Sequence, residues 1–448
     1  MALAMSLGDE PPVYRIDLAL PPAERYVHVA REYRSQLLSL TGLFDELVQD
    51  ILPDGYDGVV RWIKRAARLF LRRLYSREET EEIRGISRET GIEMYLLVAL
   101  NVLLDLMMGC TSGVARARSK RNSSTETRLL HFRTLDWGMD ALRKVLVRFE
   151  FVRGPDYTTV LATNITYVGF VGVLTGVRKG LSLSLNFRPN HDASSRFRNC
   201  RYYVSHLIVL LGLRQSISSI LRQYIIPLHP PSHKSFSHLL PLSKIWPALS
   251  RTPSTAAYLI LCDGDAGVVL EKDHRTANVA YASSFIVATN NDHITPAASS
   301  PLEEEDGPDH GAASGMGAVV SMTDLIEDSK MRKKCMQANW DRKVKQARQK
   351  QLAASTARRD PLRRTRGSRK QAGDLSPTAT PSTTPFASDL HTDIEVTATL
   401  EEIVNWTTTY PTTNEMTHLA VVMDASEGKV SWIRRYPEPL YLDSTAYI

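Results

Sequence analysis

The feature that most constrains this fold is a change of hydrophobic period at one point in the chain. Up to about residue 109 apolar residues recur every three or four positions; beyond it they fall into short β-branched or alternating runs. The junction is LLDLMMGCTSG, Leu103 to Gly113, where an apolar run stops on glycine, cysteine and two hydroxyl residues. A three-to-four repeat builds one apolar stripe on a helix, whereas alternation builds one apolar face on a strand, and neither pattern suits the other. The chain is therefore expected to be α+β, with helices gathered in front of the junction and strands behind it. Taken alone, Cys110 reads as a buried thiol at the end of a core helix, because unpaired cysteines behave as small hydrophobes.

Before the junction, AERYVHVAREYRSQLLSLTGLFDELVQDIL (23–52) and GYDGVVRWIKRAARLFLRRLY carry helical spacing. A third helix is expected from TGIE, where Thr90 and Glu93 have capping-box spacing. It continues through MYLLVALNVLLDLMM, which approaches membrane length but contains Asn101 and Asp105, so a buried core helix is favoured over a span. After Cys110, the runs LLHFRTLDWG, VLVRFEFVRG, TTVLATNITYVGFVGVLTG and GLSLSLNFRP read as strands punctuated by glycine. A helical interval at YYVSHLIVLLGLRQSISSILRQYI precedes a Pro/His/Ser-rich loop at 227–254. Strand pattern returns at TAAYLILCDGDAGVVLEKD and SSFIVATNNDH. The chain closes with TATLEEIVNWTTTYP as a helix and MTHLAVVMDASEGKVSWIRRYP as a hairpin.

Composition excludes several classes. With 448 residues, 43% hydrophobic and 23% charged, the chain has the makings of a large globular core. Its four cysteines, Cys110, Cys200, Cys262 and Cys335, are too scattered for a disulfide scaffold, and no CxxC pair suggests zinc. The net charge of +6 is confined to one segment: Lys330 to Lys370 holds sixteen Lys and Arg against two acids, which leaves about −8 for the remainder. That distribution argues against a basic face for nucleic acid. Residues 341–390, basic and then Ser/Thr/Pro-rich, are expected to be disordered. The first residues, MALAMSLGDEPPVYRIDL, have no basic n-region, so no secretory signal is expected. Gly169, Gly172, Gly176 and Gly180 lack the Lys-Ser/Thr pair of a phosphate loop and read as turn or close-approach glycines.

The strand-like segments also carry polar residues. FRTLDWG sets Arg133 and Asp136 three apart, and IVATNNDH ends on Asn290 and Asn291. Separately these read as an ion pair and an Asn-rich turn. Together with CTSG, they form a pattern that resembles the acid ceramidase and N-acylethanolamine acid amidase family, relatives of the bile salt hydrolases and penicillin V acylases. The resemblance extends over PPVYRIDLALPPAERY, GFVGVLTGVRKGLSLSLNFRP, EDSKMRKKC and TLEEIVNWTTTYPTTNEMTHLAVVMDASEGKVSWIRRYPEP, leaving out about 341–390.

The resemblance implies a four-layer αββα sandwich of the N-terminal nucleophile hydrolase type. Residues 1–109 become a helical small subunit after self-cleavage; 110–340 and 391–448 form the catalytic domain around the insert. It implies hydrolysis of the amide of an N-acyl lipid, ceramide first and an N-acylethanolamine as the alternative, without metal or organic cofactor. Cys110 is then nucleophile, and its freed α-amine the general base, because the reference pKa values of amine and thiol lie close together, at about 8 and 8.5. Arg133 is expected beside the sulfur, Asp136 on the α-amine, Asn290 on the oxyanion, and Arg332 is matched to a late arginine of the family. Thr111 and Ser112 are expected to shape the strand. A membrane rim is expected near the 203–226 helix. No cysteine precedes PPVYRIDL to partner Cys335, which is therefore expected to be free. The compartment reads as cytoplasmic from the residues and as acidic from the resemblance. The rival of another class is a non-catalytic protein using 330–370 to bind membranes or nucleic acid, although such a basic stretch is ordinarily just solvated chain.

Overall fold

The strand-like runs pair into two sheets among the described residues, which in this computed structural model are 10–42, 57–103, 109–118, 126–154, 158–189, 195–227, 240–292, 322–359 and 395–440. The larger sheet has eight strands, in the order β1 (Val13–Asp17), β4 (Leu146–Val152), β5 (Ala162–Tyr167), β6 (Thr175–Arg178), β7 (Leu181–Phe187), β8 (Ala257–Cys262), β9 (Gly267–Lys272) and β10 (Ala277–Ala282). The smaller has five: β11 (Phe285–Ala288), β2 (Gly109–Arg118), β3 (Thr127–Asp136), β12 (Thr417–Asp424) and β13 (Lys429–Arg435). Neighbours are antiparallel except for β1, which lies parallel to β4.

Helices cover the outer faces. α1 (Val27–Glu32), α2 (Arg34–Ser39), α3 (Asp57–Phe70), α4 (Arg77–Thr90) and α5 (Met94–Leu103) precede the junction; α6 (Arg196–Leu210), α7 (Ile217–Ile225) and α8 (Leu242–Arg251) follow it. α7 and α8 lie on the eight-stranded sheet, while α9 (Met322–Arg359) and α10 (Leu400–Thr408) lie on the five-stranded one. The layer order is helix, sheet, sheet, helix, as the sequence resemblance implied. One apolar cluster includes Leu135 and Val421 between the sheets, Leu183 and Leu185 on the far face of the large sheet, and Ile83 and Val98 in the leading helices. A second, around Phe132, Met336, Trp340, Ile403 and Trp406, joins α9 and α10 to the smaller sheet. No helix among the described residues is long and apolar enough to cross a membrane.

Several local expectations are corrected. Thr90 and Glu93 form no capping box: Thr90 ends α4 and its hydroxyl donates to Ile86 O at 2.8 Å, and Gly91 follows at φ 81°. α4 itself, capped by Ser76, carried no apolar stripe because much of the face it buries is Glu79, Thr80 and Glu82. The 23–52 helix is broken into α1 and α2, and its part beyond residue 42 lies outside the described residues. The 227–254 loop contains α8, whose Leu242, Ile245 and Leu249 face the core. The insert expected to be disordered from 341 is helical as far as Arg359, because Trp340 and Val344 on α9 pack into the smaller core. Its remainder up to residue 390 lies outside the described residues. A capping box does occur, at Thr399 and Glu402 of α10.

The leading region is not a separate body. It lends β1 to the large sheet and meets α7 through buried charge. Arg222 Nη2 donates to Glu82 Oε1 at 2.7 Å, Arg25 Nη1 to the same oxygen at 3.0 Å, and Ser219 Oγ to Glu79 Oε1 at 2.7 Å. Burial pushes the Glu79 carboxyl up to about 7, although Arg222 and Ser219 pull it down. Being raised in the folded chain, this group stabilises fully below its ordinary value of 4.5, and that contribution is lost as pH rises through about 7. Asp136, raised by burial to about 6, acts with the same sign. The melting temperature is therefore expected to fall between about pH 5 and pH 8. The fall should be shallower in Glu79→Gln, which keeps an acceptor for Ser219. Parallel melting curves check this; an equally steep fall in the variant would remove Glu79 from the account.

Candidate active site

Cys110 is the second residue of β2 and has no solvent exposure. Its neighbour β3 brings Arg133 and Asp136, and strand alternation sends residues three apart to opposite faces. Arg133 points between the sheets. Its Nη2 lies 3.3 Å from Cys110 Sγ and 2.8 Å from Leu185 O, while Nη1 donates to Leu174 O and Thr175 Oγ1. Asp136 points the other way, to the helical layer, where Arg332 of α9 reaches its Oδ2 at 3.1 Å. Thr417 Oγ1 donates to Asp136 Oδ1 at 2.7 Å and Thr134 Oγ1 to Oδ2 at 3.2 Å.

Asn290 joins the two faces. It follows β11, whose pairing sets Ala288 opposite Ser112, so the next residues run back toward Cys110. Its Oδ1 accepts from Cys110 N at 2.8 Å and from Arg332 Nη2 at 3.2 Å; its Nδ2 donates to Phe187 O at 2.8 Å. A guanidinium has only donors, so the atom facing Arg332 must be the amide oxygen. Arg332 also donates to Thr111 Oγ1 at 3.0 Å and to Asp328 Oδ2 at 2.8 Å. The five residues singled out in the sequence are thus brought together, with Arg332 buried rather than on the surface. The backbone nitrogen of Cys110 meets Asn290, while Asp136 pairs through its backbone with Gly109.

Burial pushes the Cys110 thiol above its ordinary value, against the pull of the Arg133 guanidinium. Burial likewise lifts the Asp136 carboxyl to about 6 despite Arg332. A Cβ at Gly109 would meet its nearest neighbours, Asp136 and Arg332, at 3.5 to 4.0 Å, so this glycine is not held by crowding. All four cysteines are free thiols, Cys335 included. Among the described residues no group of three or more His, Cys, Asp or Glu is placed to hold a metal.

Sequence reasoning missed the polar lining opposite Cys110. Ser112 Oγ donates to Asn186 Oδ1 at 2.7 Å, and His131 lies between Ser182 Oγ (3.0 Å) and Ser184 Oγ (2.9 Å). The signal was present in LSLSLNF, whose alternation puts Ser182, Ser184 and Asn186 on one face of a strand buried on both. Thr417 and Ser329 carried no such signal.

A family model described as the beta subunit of N-acylethanolamine-hydrolyzing acid amidase matches residues 9–75. The N-acylethanolamine-hydrolyzing acid amidase of Caenorhabditis elegans is 32% identical over 195 residues, 41% of this chain and 50% of that protein. The acid ceramidase of Mus musculus is 29% identical over 194 residues, 40% of this chain and 45% of the relative. The chain thus spans about half the length of these relatives. A solved structure of the Caenorhabditis elegans N-acylethanolamine-hydrolyzing acid amidase ortholog aligns with a TM-score of 0.39 at 19% identity, covering 71% of this chain and 93% of that one.

Arg332→Met is expected to cost about 3–5 kcal/mol of stability, because it leaves the Asp136 carboxylate buried without its ion-pair partner. Adding Asp136→Asn should recover part of the loss. Denaturant unfolding of both variants measures this; a single-variant cost under about 1 kcal/mol would mean the pair does not hold the layers together.

Proposed function

We propose that this chain, which over part of its length is similar to acid ceramidases and N-acylethanolamine-hydrolyzing acid amidases, hydrolyses the amide bond of an N-acyl lipid with Cys110 as nucleophile. The observation that carries this reading is the convergence on Cys110: a guanidinium 3.3 Å from its sulfur and the Asn290 amide on its backbone nitrogen. The first act is on the chain itself. The thiol adds to the Gly109 carbonyl carbon, the peptide C–N bond breaks as its nitrogen takes a proton, and water hydrolyses the resulting thioester. Residues up to Gly109 remain attached through β1 and the Glu79, Glu82 and Arg222 cluster.

The freed α-amine, still within reach of Asn290 Oδ1, takes the thiol proton as sulfur attacks the substrate carbonyl, then delivers it to the departing amine. Arg133 favours the thiolate. Asp136, fixed by Arg332, Thr417 and Thr134, holds the end of β3 beside Gly109 and orients the amine. The Asn290 amide turns its N–H toward the oxyanion, a donor of the kind whose removal costs about 10²–10³ in kcat. Water then releases the fatty acid.

Ceramide is the first substrate proposed; an N-acylethanolamine is the second, favoured by the matching family model and by the 32% identical relative. Such substrates reside in bilayers, and α3 and α6 expose the surface to meet one. Trp62, Leu69 and Phe70 face solvent on α3 and Phe197, Tyr203 and Leu207 on α6, each more than half exposed. The two are linked where Gly212 packs against Arg73. This contact surface is centred earlier in the chain than the 203–226 rim, since α7 is largely buried.

Intact mass under denaturing conditions, with turnover of ceramide and an N-acylethanolamine in the same detergent, tests the reading. Wild type is expected in two pieces parted between Gly109 and Cys110, and Cys110→Ala as one inactive chain. Normal maturation of purified Cys110→Ala would assign the cut to another protease. Phe70→Ser with Phe197→Ser should lower retention on anionic vesicles while leaving detergent turnover within about twofold; unchanged retention would dismiss this surface.

A further inference from the structure

The register of the small sheet ends at Ala288, two residues short of Asn290. Some other contact must fix that residue, and it comes from the helical layer. Ser329, on α9 and fully buried, accepts from Asn290 N at 2.7 Å and donates to Asn291 Oδ1 at 2.8 Å. A hydroxyl has one hydrogen and two lone pairs, so both bonds run in a determined direction: a backbone N–H has only a proton to give. Three residues later the same helix face presents Arg332, which holds Asn290 Oδ1 at 3.2 Å. α9 therefore grips Asn290 at two points, backbone nitrogen and side-chain oxygen, while Phe187 O takes the amide from the opposite sheet.

We propose that Ser329 is a positioning residue that aims the Asn290 amide at the reacting carbonyl, which rests on the reading of Asn290 as oxyanion donor. The residue type itself argues for such a role. Serine is a poorer helix former than alanine, and a fully buried site inside a helix is one that alanine fills without a polar group to satisfy. The two hydrogen bonds to the Asn290–Asn291 segment offset that disadvantage. Thr289 Oγ1 also donates to Asn291 Oδ1, at 2.8 Å, so losing the Ser329 hydroxyl removes one hydrogen bond from Asn290 N but leaves Asn291 held. The segment is thus expected to shift rather than unfold. A misplacement of about 1 Å at a reacting centre can cost about 10²-fold in rate.

The test uses a fluorogenic N-acyl aminocoumarin amide in detergent, with wild type, Ser329→Ala, Asn290→Ala and the double variant, each checked for melting temperature and processing. Ser329→Ala should lower kcat about tenfold or more with KM within about twofold and melting nearly unchanged. Ser329→Thr, which keeps the hydroxyl, should restore most of the rate, and Ser329→Cys, similar in size but a weak donor and acceptor, should stay slow. The double variant should match Asn290→Ala, because Ser329 acts only through that side chain. Normal kcat in Asn290→Ala would overturn the oxyanion reading and this proposal with it. A slow Asn290→Ala beside a normal Ser329→Ala, or two losses that multiply in the double variant, would overturn the role of Ser329 alone.

Discussion

A strand buried on both faces is the constraint from which the rest of this structure follows. β2 has the eight-stranded sheet on one side and α9 and α10 on the other, so its side chains alternate between two dry environments. Cys110 and Ser112 look toward the sheet; Thr111, Ala115 and Ala117 look toward the helices. Neighbours press close enough that a Cβ at Gly113 would come within 2.2 Å of Ile286 O and 2.6 Å of the Phe132 ring. With water excluded, a polar group on this strand needs a partner within the protein, since an unmade hydrogen bond there costs about 1–3 kcal/mol.

Arginines supply many of those partners. Arg133, Arg222 and Arg332 are among the largest fully buried side chains, and each spreads its donors over carbonyls, hydroxyls or carboxylates from different elements. A planar fork of donors suits this task better than a point charge. The same burial shapes reactivity. It lifts the Cys110 thiol and the Asp136 carboxyl, while the guanidiniums beside them pull both down. In such surroundings small changes in position alter the charge balance strongly, because little solvent screens it.

Much of the fold was legible from residue pattern. β3, β4, β7, β8 and β9 lie where alternating or β-branched runs occur, and α3, α5 and α10 where apolar residues recur at helical spacing. Elements were missed where polar groups substitute for apolar ones in burial. α4 buries glutamates against Arg222 and Arg25, so its stripe is invisible to a hydrophobic period. α9 continues past the point where composition turns basic, because the helix begins in a packed segment that contains Met336 and Trp340. Among site residues, Cys110, Arg133, Asp136, Asn290 and Arg332 were found through resemblance rather than period, while Ser329 and Thr417 were not found at all.

What the sequence by itself determined is the change of period at Gly109, and with it the α+β character, although β1 at Val13–Asp17 shows that strand also lies ahead of that point. Periodicity is a local property, set by how successive side chains leave one backbone. That Arg133 and Asp136 serve opposite faces follows from alternation, but what waits on each face does not. Only the tertiary structure decided that β7 stands across from Cys110 and that α9 brings Ser329 and Arg332 to Asn290. These groups lie between about 40 and 220 residues apart along the chain. Their meeting depends on how two sheets and two helical layers stack, and the stacking is settled by burial of the whole surface rather than by any one segment.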